Sequence, residues 1–324
     1  MEKKKRNVIL IILGILLIGI LILLYFVLRS QNAIYPQKPI SQDSLNTTNQ
    51  PISLNSTKIE TSEAYLYTVS NTVMLDKVTT FVQSINPKFK QTANEEGVFY
   101  EWDYGEDSVI YELDQDTVIF SIKQGIPWNE VSITNYSFSE FVNKYFGKTW
   151  SYSNPDSKKQ SEGETIYYAK RVIDGFNVET VLDRQETDYL ATKDGKIVYG
   201  KILLADLVKS TDKVPLISSA DLSKYINING YPKEIYPLYG NIQSTTLSDI
   251  DYKSDEFLAI TKTLSDCKTT SSSIIYLYKS MDQGNLTPVY KLELQCEIEY
   301  KDSKYTIPAI GYVNAIEPKY VSTK

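Results

Sequence analysis

GVFYEWDYGEDSVIYELDQDTVIFSIK, Gly97 to Lys123, holds three short runs split by the turn-like segments YGED and Asp114-Gln115-Asp116. Within GVFYEWD, SVIYELD and DTVIFSIK, apolar and polar residues alternate, the period of a strand with one face buried. The stretch predicts an antiparallel meander laid against a helix. That helix is expected just upstream. In LDKVTTFVQSI, Leu75, Val78, Phe81, Val82 and Ile85 fall on one helical face.

Downstream, a helix followed by strands recurs. FSEFVNKYF, Phe138 to Phe146, opens a second unit, and the polar loop SNPDSKKQSEGE leads to TIYYAKRVI, to Phe176–Leu182 and to two runs around Asp194-Gly195. A third start appears at PLISSADLSKYI, where Ser218 or Ser219 caps a helix carrying Leu222 and Ile226. A further helix is expected over Asp255–Ser265, and SIIYLYKS, LTPVYKLELQCEIEY and YTIPAIGYVNAI close the chain as strands. The predicted fold class is α+β: an N-terminal transmembrane helix, then helices packed on curved antiparallel sheets in two lobes, 63–155 and 163–324.

The N-terminus carries its own signal. Val8 to Leu28 reads VILIILGILLIGILILLYFVL, without a charge. Such a run spans about 31 Å as a helix, enough to cross a bilayer core. Lys3, Lys4, Lys5 and Arg6 precede it and Arg29 follows, which predicts a cytoplasmic tail over 1–7, a membrane helix over 8–28 and an outward-facing remainder. A cleaved signal peptide is the alternative, with a shorter apolar region and a small-residue site as its usual marks. Residues 29–62, rich in Ser, Asn, Gln, Thr and Pro, read as a flexible linker.

The formal charge is −6 over 324 residues, and residues 1–7 contribute +3, leaving −9 for the rest. That balance argues against a nucleic-acid partner. No histidine occurs, which excludes imidazole bases, His-containing triads and Cys-His zinc sites. Cys267 and Cys296 are too far apart for a redox CxxC pair. With Cys267 near a helix end and Cys296 in a late strand, a structural disulfide is the leading reading and two separate buried thiols the alternative.

Ser-x-x-Lys occurs at Ser210–Lys213 and Ser265–Lys268 without the other elements of penicillin-recognising enzymes. Asp103, Glu106, Asp107, Asp114 and Asp116 lie in turns, lack the DxDxDG calcium spacing and read as solvated turn acids. Glu101, Glu112, Glu179 and Glu186 are the carboxylates available to a glycosidase-type pair. Asn46, Asn55, Asn135 and Asn285 begin Asn-x-Ser/Thr triplets, read as chance matches. No cofactor or metal set is expected. The 26 tyrosines are mostly scaffold, and Tyr276 and Tyr278, on one face of IIYLYKS, are the expected interaction stripe.

TIYYAKRVIDGFNVE (Thr165–Glu179), ATKDGKIVYG (Ala191–Gly200), VPLISSADLSKYI (Val214–Ile226), LTPVYKLE and YTIPAIGYVNAI resemble the extracytoplasmic domains of YycI-like and YycH-like regulators of Gram-positive bacteria. More loosely, they resemble the PepSY-type helix-and-sheet module. The resemblance covers about residues 163–317 and rests on the Asp174-Gly175 and Asp194-Gly195 turns and a Ser-Ala helix start. It implies a non-enzymatic regulator that restrains a membrane kinase. Together these readings lead to a membrane-anchored interaction or regulatory domain, located outside the cell membrane and bound to a membrane or cell-wall-associated protein. A carboxylate-dependent envelope hydrolase and a structural surface or assembly component are the alternatives.

Overall fold

The computed structural model describes residues 40–41, 52–54, 61–70, 72, 74–93, 98–128, 132–160, 163–180, 188–228, 233–237, 264–279, 283–300 and 303–322. Three α-helices lie among them, α1 (Leu75–Ile85), α2 (Asn135–Phe146) and α3 (Ser219–Tyr225). Strands dominate everything else. The helical face read in the sequence is the one α1 buries, through Val78, Phe81 and Val82. Thr134 and Ser137 form a reciprocal cap at the start of α2, Gly147 closes it in the left-handed region, and Ser218 caps α3.

The first sheet has eight antiparallel strands in the order Lys90–Ala93, Phe99–Tyr104, Asp107–Glu112, Thr117–Pro127, Lys196–Leu203, Asp188–Lys193, Thr165–Ala169 and Asp156–Lys159. Its second, third and fourth strands are the meander read in the sequence, and Lys90–Ala93 adds an edge strand to it. The pairing of Lys196–Leu203 with Thr117–Pro127 then carries the sheet across positions 155–163, so one hydrogen-bonded layer takes strands from either side of that point. α1 and α2 cover one face through a core containing Phe81, Trp102, Phe120, Phe138, Phe141, Val142 and Phe146.

The second sheet is ordered Lys233–Pro237, Ser303–Asn314, Pro288–Tyr300, Ser265–Tyr278, Phe176–Thr180, Arg171–Ile173 and Ser151–Tyr152, with Ile52–Ser53 paired in parallel to Cys267–Lys268. α3 packs on one face through Leu222 and Ile226. A three-stranded sheet, Asp206–Pro215 beside Glu63–Ser70 beside Asn285–Leu286, packs there too, through Tyr67 and Val69 against Tyr276 and Tyr278. Ile40–Ser41 pairs in parallel with Val321–Ser322.

Three sequence expectations are corrected. The fold is β-rich rather than α+β with helices as a main layer. The cause is visible in Ser265–Tyr278, a strand of 14 residues whose polar first half, SDCKTTSSS, reads as a helix end and loop in the sequence. The Asp255–Ser265 helix otherwise falls outside the described residues.

Second, among the described residues no helix is long and apolar enough to cross a membrane. The longest has 12 residues, about 18 Å, against the ~30 Å of a hydrocarbon core. The tail 1–7 and the span 8–28 lie outside the described residues, and the single-pass location with an outward domain is withdrawn.

Third, the flexible-linker reading fails at Ile52. Its side chain is buried in the second sheet's core. The Asn227 amide holds its backbone from both sides, accepting the Ile52 N–H at 2.9 Å and donating to its carbonyl at 3.1 Å.

One close approach in the first sheet is directly testable. A Cβ at Gly200 would lie 2.6 Å from the Phe120 ring and 2.9 Å from the Leu190 Cδ2, both in the core beneath the helices. Gly200→Ala is expected to cost roughly 1–3 kcal/mol by overpacking, measured by urea unfolding. An unchanged midpoint would mean that the Phe120 ring moves aside freely.

Candidate functional site

The tyrosines chosen from the sequence are not a surface. Tyr276 and Tyr278 are both 0% exposed. Their hydroxyls donate to the Tyr65 carbonyl at 2.6 Å and the Gln115 carbonyl at 3.2 Å. Tyr276 also meets Tyr67 and Phe176 edge-on, with ring centroids 5.2 and 5.8 Å apart. The stripe is corrected to core because the face it occupies is covered by the small sheet.

Cys267 and Cys296 form a disulfide. It joins the neighbouring antiparallel strands Ser265–Tyr278 and Pro288–Tyr300, so Cys267 sits in a strand and not at a helix end.

The other sequence candidates scatter. Among the described residues no group of three or more His, Cys, Asp or Glu side chains is placed to hold a metal. Glu106 pairs with Lys123 at the surface, and Asp107 accepts the Lys123 N–H. Asp116 departs from the solvated reading, being 0% exposed and receiving the Tyr111 hydroxyl at 2.6 Å. Ser210 exchanges hydrogen bonds with the Asp212 backbone while Lys213 reaches Glu63. Ser265 bonds the Glu297 carbonyl. Neither Ser-x-x-Lys serine is hydrogen-bonded to its lysine in these contacts.

Glu179 lies on the second sheet, away from Glu101 and Glu112 on the first, and Glu186 is outside the described residues. Both Glu179 carboxylate oxygens are engaged, by Lys170 at 2.8 Å and by Lys291 at 2.7 Å. Glu234 is held similarly by Lys279 and the Tyr236 hydroxyl. These ion pairs brace an apolar sheet face made by Ile275, Leu277, Val289, Ile310 and Tyr312. Glu101 pairs with Ile110, two residues from Glu112, which makes the two acids diagonal neighbours about 7 Å apart.

That row leads to the surface with the strongest claim to function. Directly opposed residues in an antiparallel sheet share a face. Tyr167, Leu190, Gly200, Phe120, Val109 and Trp102 therefore form the row under the helices. The alternate row runs Tyr168, Tyr189, Lys201, Ile119, Ile110 and Glu101 on the opposite face, with Tyr199 beside it, opposite Ser121. Tyr189 meets Tyr168 and Tyr199 edge-on at 6.0 and 6.2 Å, and all three rings are partly exposed. Burial and the nearby Glu164 carboxylate raise the Tyr199 hydroxyl's pKa. The sequence signal was the alternation in TIYYA and TDYLATK. It gives two faces but not which of them the helices cover.

No family model and no curated protein matches the chain. Among solved structures, it is similar to an uncharacterized protein from Eubacterium rectale ATCC 33656, known from a crystal structure at 1.45 Å resolution. The identity is 10% and the TM-score 0.47, covering 84% of this chain and 89% of that one.

Proposed function

We propose that the chain is a non-catalytic interaction or regulatory module that binds a partner protein through the face of the first sheet opposite α1 and α2. The observation that carries this reading is the row of partly exposed tyrosines, Tyr168, Tyr189 and Tyr199, on a sheet held rigid from behind by an aromatic core. Rigid amphipathic rings make a large contact at low entropic cost, which is why tyrosine dominates binding hot spots. The resemblance to YycI-like regulators points to the same class of role, and Tyr168 and Tyr199 lie within its quoted segments. A carboxylate hydrolase fits less well. Among the described residues the two carboxyls with strongly raised pKa, Asp116 and Asp188, are fully buried and out of a substrate's reach.

The test is site-specific photocrosslinking in the native cell from position 189, with position 104 as a control in the same sheet. Crosslinking of one defined protein from 189 alone supports the reading. Tyr189→Ser is then expected to weaken that complex about tenfold or more while leaving the unfolding midpoint nearly unchanged. Equal crosslinking from both positions, or none from 189, would remove the sheet face as the site.

A further inference from the structure

The long strand Ser265–Tyr278 is paired on one side by Pro288–Tyr300, from Ser265 to Tyr276. On its other side it has two short neighbours. Ile52–Ser53 lies beside Cys267–Lys268 and Asn177–Thr180 beside Ile275–Tyr278, and both run parallel to it. Between them, from Thr270 to Ile274, no strand lies along this edge among the described residues. The gap is a slot of about 17 Å, bounded at each end by a strand of the same direction.

Burial marks the same place. The half of the strand from Ile274 to Tyr278 is buried throughout, whereas Thr270, Ser271 and Ser273 are exposed and Ser272 is partly so. The far side is regular here, with Ser271 opposite Glu293, Ser272 opposite Leu292, Ser273 opposite Lys291 and Ile274 opposite Tyr290. Ser272 and Ile274 therefore look toward the core that Leu292 and Tyr290 share with α3. The Ser272 hydroxyl oxygen is buried there with no hydrogen-bond partner among the described residues. Leaving such a group unpaired is costly. Ser271 looks the other way and donates to the exposed Glu293 carboxylate at 2.7 Å.

The chain itself shows what this edge accepts. Ile52 is added to it as extended, parallel backbone, with its side chain buried in that same core.

We infer that the slot is a strand-addition site for an extended segment of a partner protein, about five residues long and parallel to Ser265–Tyr278. Its inward side chains are β-branched or hydroxyl-bearing and meet Ser272; its outward ones are basic and meet Glu293.

Geometry sets each of these terms. Strand addition takes affinity from the exposed main chain and specificity from alternate side chains. The flanking strands fix length and direction, and they keep out a whole sheet edge, a second copy of this strand included. A single segment is what remains. The slot belongs to the second sheet and is independent of the tyrosine row on the first.

The experiment is an NMR titration of the nitrogen-15-labelled full chain with the peptide acetyl-Thr-Lys-Val-Lys-Thr-amide at millimolar concentration. Saturable shifts are expected at Thr270–Ile274 and at the flanking Ser53 and Asn177. The same peptide with proline in place of valine lacks a ladder donor and is expected to bind much more weakly. A spin label on the peptide's N-terminus is expected to broaden Ile52 and Lys268 before Ile275. Ser272→Ala is expected to weaken binding about threefold or more without lowering the unfolding midpoint. Absence of saturation, an equal response to the proline peptide, or broadening from the Ile275 end overturns the proposal. So does full exchange protection of every Thr270–Ile274 amide in the free chain, which would mean that the chain fills its own slot. The wild-type titration decides even without the variant.

Discussion

Phe141→Ala is expected to destabilise the protein by about 4 kcal/mol, as large aromatic-to-alanine changes in a closed core do. Phe141 lies on α2 with no exposed surface. Its ring meets Phe120 in a stack at 5.8 Å and Tyr145 at 4.8 Å, with Phe81, Trp128 and Phe146 between 6.0 and 6.4 Å. Phe81, Phe120, Tyr145 and Phe146 lie in a helix or the first sheet, and Trp128 directly follows a sheet strand with its N–H on the Gly195 carbonyl, so the space cannot collapse without moving a strand or a helix. Equilibrium urea unfolding measures the effect. A loss below about 1.5 kcal/mol would show that the aromatic cluster repacks, and the rigid backing claimed for the Tyr168–Tyr189–Tyr199 face would go with it. The same variant separates two roles of the helices: loss of partner binding beyond the unfolded fraction would mean that α2 also shapes the face.

Local patterns were readable because they depend on neighbours within a few residues. The period of Leu75, Val78, Phe81, Val82 and Ile85 defined α1, and alternation defined the strands of the meander. Ser218 was one of two serines expected to cap α3. The disulfide followed from having two cysteines and no third partner.

What failed depended on layers. IIYLY places Ile275 and Leu277 on one face and Tyr276 and Tyr278 on the other, and every one of them is buried. A strand apolar on both sides is a strand covered on both sides, a signal present in the sequence and read instead as a surface stripe. The crossing between the two large sheets left no comparable trace. The chain changes sheets at Lys170, between Thr165–Ala169 and Arg171–Ile173, and no residue spacing encodes that crossing. Tyr168 and Tyr189 were visible as sheet tyrosines, but their shared face became the outer one only once α1 and α2 had taken the other.

Reduction of the Cys267–Cys296 bond is expected to cost about 3.5 kcal/mol, the loop-closure entropy for some 30 residues in the unfolded chain. The sequence separation is 29, and both sulfur-bearing residues are fully buried. The bond closes the hairpin-like pair Ser265–Tyr278 and Pro288–Tyr300 near its far end, next to Ile52 and beside two register shifts at Ser265/Lys268 and Thr269/Ser271. Those irregularities interrupt the ladder where the cross-link supplies the missing constraint. The polar run SDCKTTSSS is therefore held as strand by covalent attachment more than by burial. Urea unfolding with and without reductant measures the difference, and Cys267→Ser with Cys296→Ser checks that reductant acts through this bond. Exchange of the Cys267–Ser273 amides distinguishes the mechanism. If the loss is confined to the unfolded state, protection in the folded state stays unchanged while global stability falls. If protection is lost locally first, the bond acts by pinning the strand, and the Ile52–Ser53 pairing that rests on it is expected to open in the same step.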